Sequence, residues 1–290
     1  MSESDTNQGI FRLTKGFVWA NQSCSYDSLL TSLLFIYSTD NDSNKKLLES
    51  TIPGLSVAFD DLLDDKINPG VIKENILNEY FFAVGSNLTR GVHESVDKIF
   101  AHLMGFCTIQ VQDDQYFQTQ YDLKKTCTNP ECINENDVKV ISAMKNYILF
   151  FENMECTDSI NSKIDEVLHS KVRNYRCEEC AVHLKEEYVI TSTPHILTVH
   201  LSQHVFDYPI DEEVEVGGQQ YELKSVIYFG EAHFICRFNH NKSVYEYDGN
   251  ARNGLIHEIN ELNPFRFIIK DTNKNARRGM TIFYRKKYIQ

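Results

Sequence analysis

Two short cysteine pairs constrain this chain more than any other feature. Cys127-Thr-Asn-Pro-Glu-Cys132 and Cys177-Glu-Glu-Cys180 lie about 45 residues apart. A tetrahedral Zn²⁺ bound by four thiolates needs two pairs, each turned so that both sulfurs face one point; C-x2-C and C-x4-C turns both achieve this. Four protein ligands leave no open position, so the expected zinc is structural. His183, three residues past Cys180, is an alternative ligand. The competing reading is four free thiols packed as small hydrophobes, which Arg176, Glu178 and Glu179 around the second pair oppose. Cys107, Cys156 and Cys236 lack partners at such spacing and are read as core or surface thiols. Eight cysteines in 290 residues are too sparse for a disulfide-built mini-fold, which places the chain in a reducing, intracellular compartment, cytoplasm or nucleus.

Charge and hydropathy narrow the class further. Forty-one acidic against 29 basic residues give a formal charge of −12, and a nucleic-acid binder needs the opposite field. No apolar run reaches the roughly 20 residues of a membrane span, so no membrane partner is expected. Residues 1–9 are too polar for a secretory signal and are expected to form a disordered tail. The rest, 10–290, shows no internal repeat and no Pro- or Gly-rich linker, so one composite domain and a monomer are expected.

Apolar residues at Leu29, Leu30, Leu33, Leu34 and Tyr37 have helical spacing, with a helix start at Cys24 or Ser25. A mostly helical region follows to about residue 105, including a helix over 92–104. Strands are predicted over 108–111, 138–141 and 148–151, then a helix over 161–169. Further strands are predicted over 188–191, 196–201, 223–228, 234–238 and 281–284. The order, helices then strands with a metal-bearing insertion between, is that of an α+β protein.

Cys24 stands where a polar loop turns into an apolar helix, and a helix N-terminus favours a thiolate and an oxyanion. Such a cysteine is structural unless the chain supplies a base and an orienting group. His233 follows a predicted strand over 221–228 and a turn over 229–232. Asp248 ends another short strand fifteen residues on. Two adjacent antiparallel strands would bring imidazole and carboxylate side by side, the arrangement a cysteine nucleophile requires.

The combination resembles the ubiquitin-specific protease superfamily of papain-like cysteine isopeptidases. Asn21-Gln22-Ser23-Cys24-Ser25-Tyr26-Asp27-Ser28-Leu29-Leu30 is similar to its nucleophile box, and His93 to Phe100 to its next helix motif. Tyr175 to Cys180, Pro194-His195-Ile196-Leu197 and His200-Leu201 resemble the zinc-bearing fingers and the strand leaving them. Tyr221 to Phe234 resembles the histidine box and Met280 to Arg285 the closing strand. The resemblance implies a thumb, palm and fingers fold, with thumb about 24–105, fingers about 107–200 and palm mainly 200–290. It implies Cys24 as nucleophile, His233 as general base and then acid, and Asp248 as orienter. Cys127, Cys132, Cys177 and Cys180 become the ligands of the fingers zinc. The implied reaction is hydrolysis after a modifier's C-terminal Gly-Gly, with Trp19, Phe229 and Phe234 as candidate channel walls.

Three positions depart from the usual pattern. Trp19 replaces the asparagine five residues before the cysteine, leaving Asn21 or Gln22, or backbone N–H groups, to hold the oxyanion. Asp27 stands where many members have Asn, and Ala232 where Gly precedes His. Trp-x-Asn followed by Cys-x-x-Asp is similar to the branch that includes a SUMO isopeptidase. The net negative charge, with acidic runs at 60–65 and 211–215, suits the basic surface of ubiquitin. Ubiquitin is therefore the favoured modifier and SUMO the alternative; a catalytically inactive modifier-binding module is the competing class.

Overall fold

The computed structural model describes residues 13–83, 86–110, 115–132, 139–151, 159–168, 171–202, 207, 209–271 and 274–288. The expected tail over 1–9 and Cys156 lie outside these, as does the side chain of Cys107. The helices come first: α1 Cys24–Ser38, α2 Asp42–Thr51, α3 Pro53–Leu63, α4 Pro69–Ile76, a π-helical turn Leu77–Phe81, and α5 Val96–Gln110. Three strands follow, β1 Thr119–Cys127, β2 Lys139–Asn146 and β3 Leu149–Phe151, then helix α6 Ile160–Leu168. Next come β4 Lys171–Arg176, β5 His183–Ser192, β6 Ile196–Leu201, β7 Glu213–Val216 and β8 Gln219–Gly230. The last five are β9 His233–His240, β10 Ser243–Tyr247, β11 Ile256–Ile259, β12 Ile268–Lys270 and β13 Ala276–Lys286.

The strands form two sheets. One has four strands in the order β2-β1-β5-β4; the other runs β11-β10-β9-β8-β13-β6-β3, with β7 on β8 and β12 on β13. β3 and β6, inside the span 107–200, pair in the larger sheet, parallel to each other. The architecture is the expected α+β.

The strand predicted over 108–111 is wrong where it is described, because α5 continues through Gln110. Val96, Ile99, Phe100, Leu103 and Met104 are buried on one stripe of this helix. Once that stripe is packed, each further residue adds a backbone hydrogen bond at little cost. The β-branched Thr108 and Ile109 lower propensity by only about 0.7 kcal/mol each at most, too little to stop it.

Helix α1 is the centre of the molecule. Every residue from Cys24 to Tyr37 is buried, as expected of a helix surrounded on all faces. Phe35 stacks on Phe238 of β9 with ring centroids 4.5 Å apart. The Ser225 hydroxyl of β8 donates to Ser32 Oγ at 2.9 Å, and Tyr37 OH donates to Asp60 of α3 at 2.9 Å. Among the described residues, no helix is long and apolar enough to cross a membrane.

The segment before α1 ties it to the far edge of the large sheet. Gly16 N–H donates to Gly254 O at 2.8 Å, Trp19 N–H to Gly249 O at 3.0 Å, and Ile256 N–H to Thr14 O at 3.0 Å. Phe17 N–H donates to Thr31 Oγ1 of α1 at 3.3 Å, and Tyr247 OH donates to Phe17 O. A Cβ on Gly16 would lie 2.6 Å from side-chain atoms of both Thr31 and Tyr247, so only glycine lets the segment lie this close. Gly16→Ala should therefore cost about 1–3 kcal/mol, the usual penalty of overpacking, read as a lower urea midpoint at constant m. A loss under about 0.5 kcal/mol, typical of surface changes, would contradict this packing.

Candidate active site and metal centre

Asn21 and Gln22 form a left-handed turn, φ 49° and 62°, that swings the chain into α1. Both side chains are exposed. Ser23 N–H donates to Ala20 O at 3.1 Å, and Ala20 N–H donates to Ser23 Oγ at 3.1 Å. Cys24 is then the first helical residue and only 2% exposed. The first turn of any helix has N–H groups without intrahelical partners, so the thiol sits beside a ready set of donors and the positive end of the dipole.

The β8–β9 hairpin delivers His233. Gly230 pairs with His233 across a two-residue turn, Glu231 and Ala232, at φ 48° and 55°. These positive angles match the twist-compatible type I′ turn. The turn is tighter than the predicted 229–232, because Phe229 and Gly230 remain in the strand. Arg277 of β13 donates to the carbonyls of both Gly230 and His233. The guanidinium is itself held by Asp271 Oδ2 at 2.9 and 2.7 Å, so the hairpin end is clamped from beneath.

His233 Nε2 donates to Asp248 Oδ1 at 2.7 Å, and Cys24 is near enough to help raise the pKa of the same imidazole. Asp248 directly follows β10, where its Oδ1 also accepts from Asn250 N–H at 2.9 Å and Ala251 N–H at 3.3 Å. Burial pulls the His233 pKa down, but hydrogen bonds to Asp248 and Cys24 and the charge of Asp248 carry it up to about 9. Burial pushes Asp248 up, yet the His233 hydrogen bond and charge, with the two N–H donors, hold it below the usual carboxylate range. The structure thus brings together Cys24, His233 and Asp248 from three separate elements. It leaves Asn21 and Gln22 on the exposed turn next to them.

Of the expected channel residues, Trp19 and Phe229 are partly exposed at 39% and 37%, whereas Phe234 is buried. Phe229 and Phe234 pack with ring centroids 4.6 Å apart, and Trp19 is tied to the Asp248 turn through Gly249.

Sequence reasoning noted Asp27 only as a departure from the usual box and missed its partners beneath Cys24. Asp27, fully buried, accepts from Ser23 Oγ at 2.5 Å and pairs with Lys73 Nζ of α4 at 2.8 Å. Lys73 Nζ also donates to Val18 O at 2.6 Å and to Ser23 Oγ at 3.0 Å. Burial raises the Asp27 carboxyl, against the opposing pull of Lys73, Ser23 and the His233 charge, to about 6. A signal existed: Lys73 shares the helical face of the apolar Ile72 and Ile76, both buried, where a solvated lysine has no place. Arg277 and Asp271 had none, since alternate polar residues in a closing strand are ordinary.

The four cysteines converge at one end of the smaller sheet. Cys127 ends β1, Cys132 follows in the next turn, and Cys177 and Cys180 lie in the turn between β4 and β5. β1 and β5 are antiparallel neighbours, with Cys127 opposite Leu184. The Cys127 and Cys180 sulfurs are 3.4 Å apart, those of Cys132 and Cys177 3.8 Å, and all four lie within 4.8 Å of one another. A ZnS₄ tetrahedron with bonds of about 2.3 Å has edges of about 3.8 Å, so the set could close on a zinc ion with shifts of about 1 Å or less. His183 begins β5 and is not among the clustered ligands. Cys236 is a fully buried core thiol.

No protein-family model and no curated protein matches the sequence. Solved structures do. The chain is similar to one in the SAGA Ubp8/Sgf11/Sus1/Sgf73 DUB module bound to ubiquitin aldehyde, with TM-score 0.62 and 12% identity over 97% of this chain and 72% of that one. The same module bound to monoubiquitin gives 0.63 and 13% over 97% and 71%. A yeast SAGA DUB module gives 0.52 and 13% over 97% and 71%. The likeness is one of fold: this chain shares the mixed helix-and-sheet architecture of those chains, and its four clustered cysteines could hold a structural zinc.

Two expectations follow from this geometry. His233, raised above its unfolded value near 6.5, adds stability that is complete below about pH 6.5 and lost as pH rises through about 9. Its NMR titration should have a midpoint near 9 and fall towards about 6.5 in Asp248→Asn; a wild-type midpoint below 7 would contradict the pairing. Protein purified without chelators should carry one zinc per chain. Stripping it, or Cys177→Ser, should lower the melting temperature and speed amide exchange in β1, β4 and β5 before α1.

Proposed function

We propose that the chain is a cysteine isopeptidase that hydrolyses the bond after the C-terminal Gly-Gly of ubiquitin. The observation that supports this most directly is His233 hydrogen-bonded to Asp248 and close enough to Cys24 for each to act on the other, at the start of a buried helix, in a fold like that of chains in a ubiquitin-bound DUB module. Cys24 attacks the glycine carbonyl as a thiolate, with the proton held on His233. N–H groups of the first turn of α1, with Asn21 or Gln22 reaching in from the turn, stabilise the oxyanion. His233 gives its proton to the leaving amine and then takes one from water, which attacks the thioester and frees Cys24. Asp248 keeps the imidazole oriented and its charged form stable. The zinc of Cys127, Cys132, Cys177 and Cys180 takes no part in these steps; it stiffens the sheet that grips the modifier's body. The domain bounds given above for thumb, fingers and palm belong to this same reading.

Ubiquitin is preferred over SUMO because the chain is strongly acidic and because similar chains occur in a module bound to ubiquitin. The Cys-x-x-Asp pattern at Cys24 keeps SUMO as the second reading. A panel of ubiquitin, SUMO forms and related modifiers, each with a thiol-reactive C-terminus, separates the readings. A covalent adduct with ubiquitin, absent in Cys24→Ala, is expected. His233→Ala should slow adduct formation about 100-fold or more, the scale of a lost general base. An adduct with SUMO alone would reassign the modifier. No adduct from a folded, zinc-loaded chain would make it a modifier-binding module.

A further inference from the structure

Lys73 spends an unusual amount of organisation on a place where no charge is needed for folding. It comes from α4, some fifty residues from Cys24 in sequence, and is only 4% exposed. Its ammonium meets three acceptors: Val18 O at 2.6 Å, Ser23 Oγ at 3.0 Å and Asp27 Oδ1 at 2.8 Å. These are the two ends of the segment that leads into Cys24 and the first turn of the helix Cys24 begins. Ser23 closes the circle, donating to Asp27 Oδ2 and accepting from Ala20 N–H. Between Val18 and Ser23 lie Asn21 and Gln22 at positive φ, a conformation that non-glycine residues keep only where surrounding contacts over-determine it.

A buried ion pair is a weak source of stability, since the desolvation of both charges offsets their attraction. What such a pair does supply is direction, because one ammonium satisfied by three oxygens has a single position. We propose that Lys73 is a positioning residue of the Cys24 site. Its ammonium locks residues 18–23 so that the turn and the first N–H groups of α1 point at the place where the oxyanion forms. This rests on the reading of Cys24 as the nucleophile.

The variant Lys73→Met/Asp27→Asn removes both charges together, so no lone buried ion is left. Four readouts are taken on the full chain: melting temperature, the pH profile of Cys24 alkylation by iodoacetamide, amide exchange of residues 18–23, and kcat and KM on a ubiquitin C-terminal amide. Expected are melting close to wild type, a Cys24 that is still alkylated, faster exchange over 18–23, and kcat lower by about 100-fold with KM nearly constant, the scale of a misplaced reacting geometry. Lys73→Gln/Asp27→Asn, which keeps a donor of similar reach, should recover part of the lost kcat; it also stands in if the first variant does not fold. Unchanged exchange over 18–23, or kcat within about threefold of wild type, would overturn the proposal for Lys73. A wild-type chain that alkylates at Cys24 but turns over no modifier would instead sink the isopeptidase reading, while the exchange measurement still decides on Lys73.

Discussion

The complete burial of α1 is the constraint from which the rest of the site follows. Leu29, Leu30, Leu33, Leu34, Phe35 and Ile36 are all essentially inaccessible, and each contributes about 1.5–3 kcal/mol on removal from water. That holds the helix in place but does not fix its rotation, because a slippery apolar surface accepts more than one register. The polar residues of α1 supply the register. Thr31 accepts from Phe17 N–H, Ser32 from Ser225, and Asp27 meets Ser23 and Lys73. A turn of one residue would leave several of these groups buried without partners, at about 1–3 kcal/mol apiece. Cys24 inherits its placement from this locking.

The triad geometry is assembled from parts that share no local sequence. His233 depends on a hairpin whose tight turn is clamped by Arg277 from a strand reached much later in the chain. Asp248 depends on N–H groups of its own turn, and that turn is tied to Trp19 through Gly249. The residues before Cys24 therefore touch both the carboxylate's turn and, through Val18, the ammonium of Lys73. Two opposite pairs, His233 with Asp248 and Lys73 with Asp27, bracket the thiol region. Asp27 is buried closely enough to feel the charge of His233. The protein has placed strong fields where water would otherwise screen them, which is the condition for electrostatic preorganisation.

Much of this was legible in the sequence wherever a short pattern carries its own geometry. Two cysteine knuckles need no knowledge of the fold to be paired. The apolar spacing after Cys24 put the helix start at Cys24 or Ser25, and it is Cys24; the strand opening at His233 and the one ending just before Asp248 followed from alternation and turn residues. The strand expected over 108–111 failed because Thr108 and Ile109 were judged by local preference, while a packed stripe from Val96 to Met104 carried the helix past them. Lys73 and Arg277 were missed for another reason. Lys73 shares a helix face with the apolar Ile72 and Ile76, which hints at burial, but only three-dimensional packing shows that Val18, Ser23 and Asp27 surround it, and nothing near Arg277 in sequence points to Asp271. Long-range polar contacts leave no periodic trace.

The same helix that begins at Cys24 ends beside the link from the smaller sheet to the larger. Just past α1, Asp40 accepts from Tyr116 OH at 3.2 Å, His195 Nε2 at 3.0 Å and Arg285 Nη1 at 3.2 Å. Arg285 donates to Thr39 O as well, at 2.9 Å, a cation at the negative end of the helix dipole. Tyr116 lies on the segment entering β1 of the smaller sheet and His195 on the link from β5 to β6 of the larger one, and these are bonded side by side through His195 N–H to Gln115 O and Ile196 N–H to Tyr116 O. The carboxylate and the imidazole are both almost wholly buried, with side-chain exposures of 1%, so this node cannot shift without exposing or orphaning charge. A rigid rod of fifteen residues thus has one end fixed by Lys73 and Asp27 and the other by His195 and Arg285. The smaller sheet is entered beside Asp40 through Tyr116 and left beside it through His195, so its distance from Cys24 is set by one helix rather than by the summed slack of several loops.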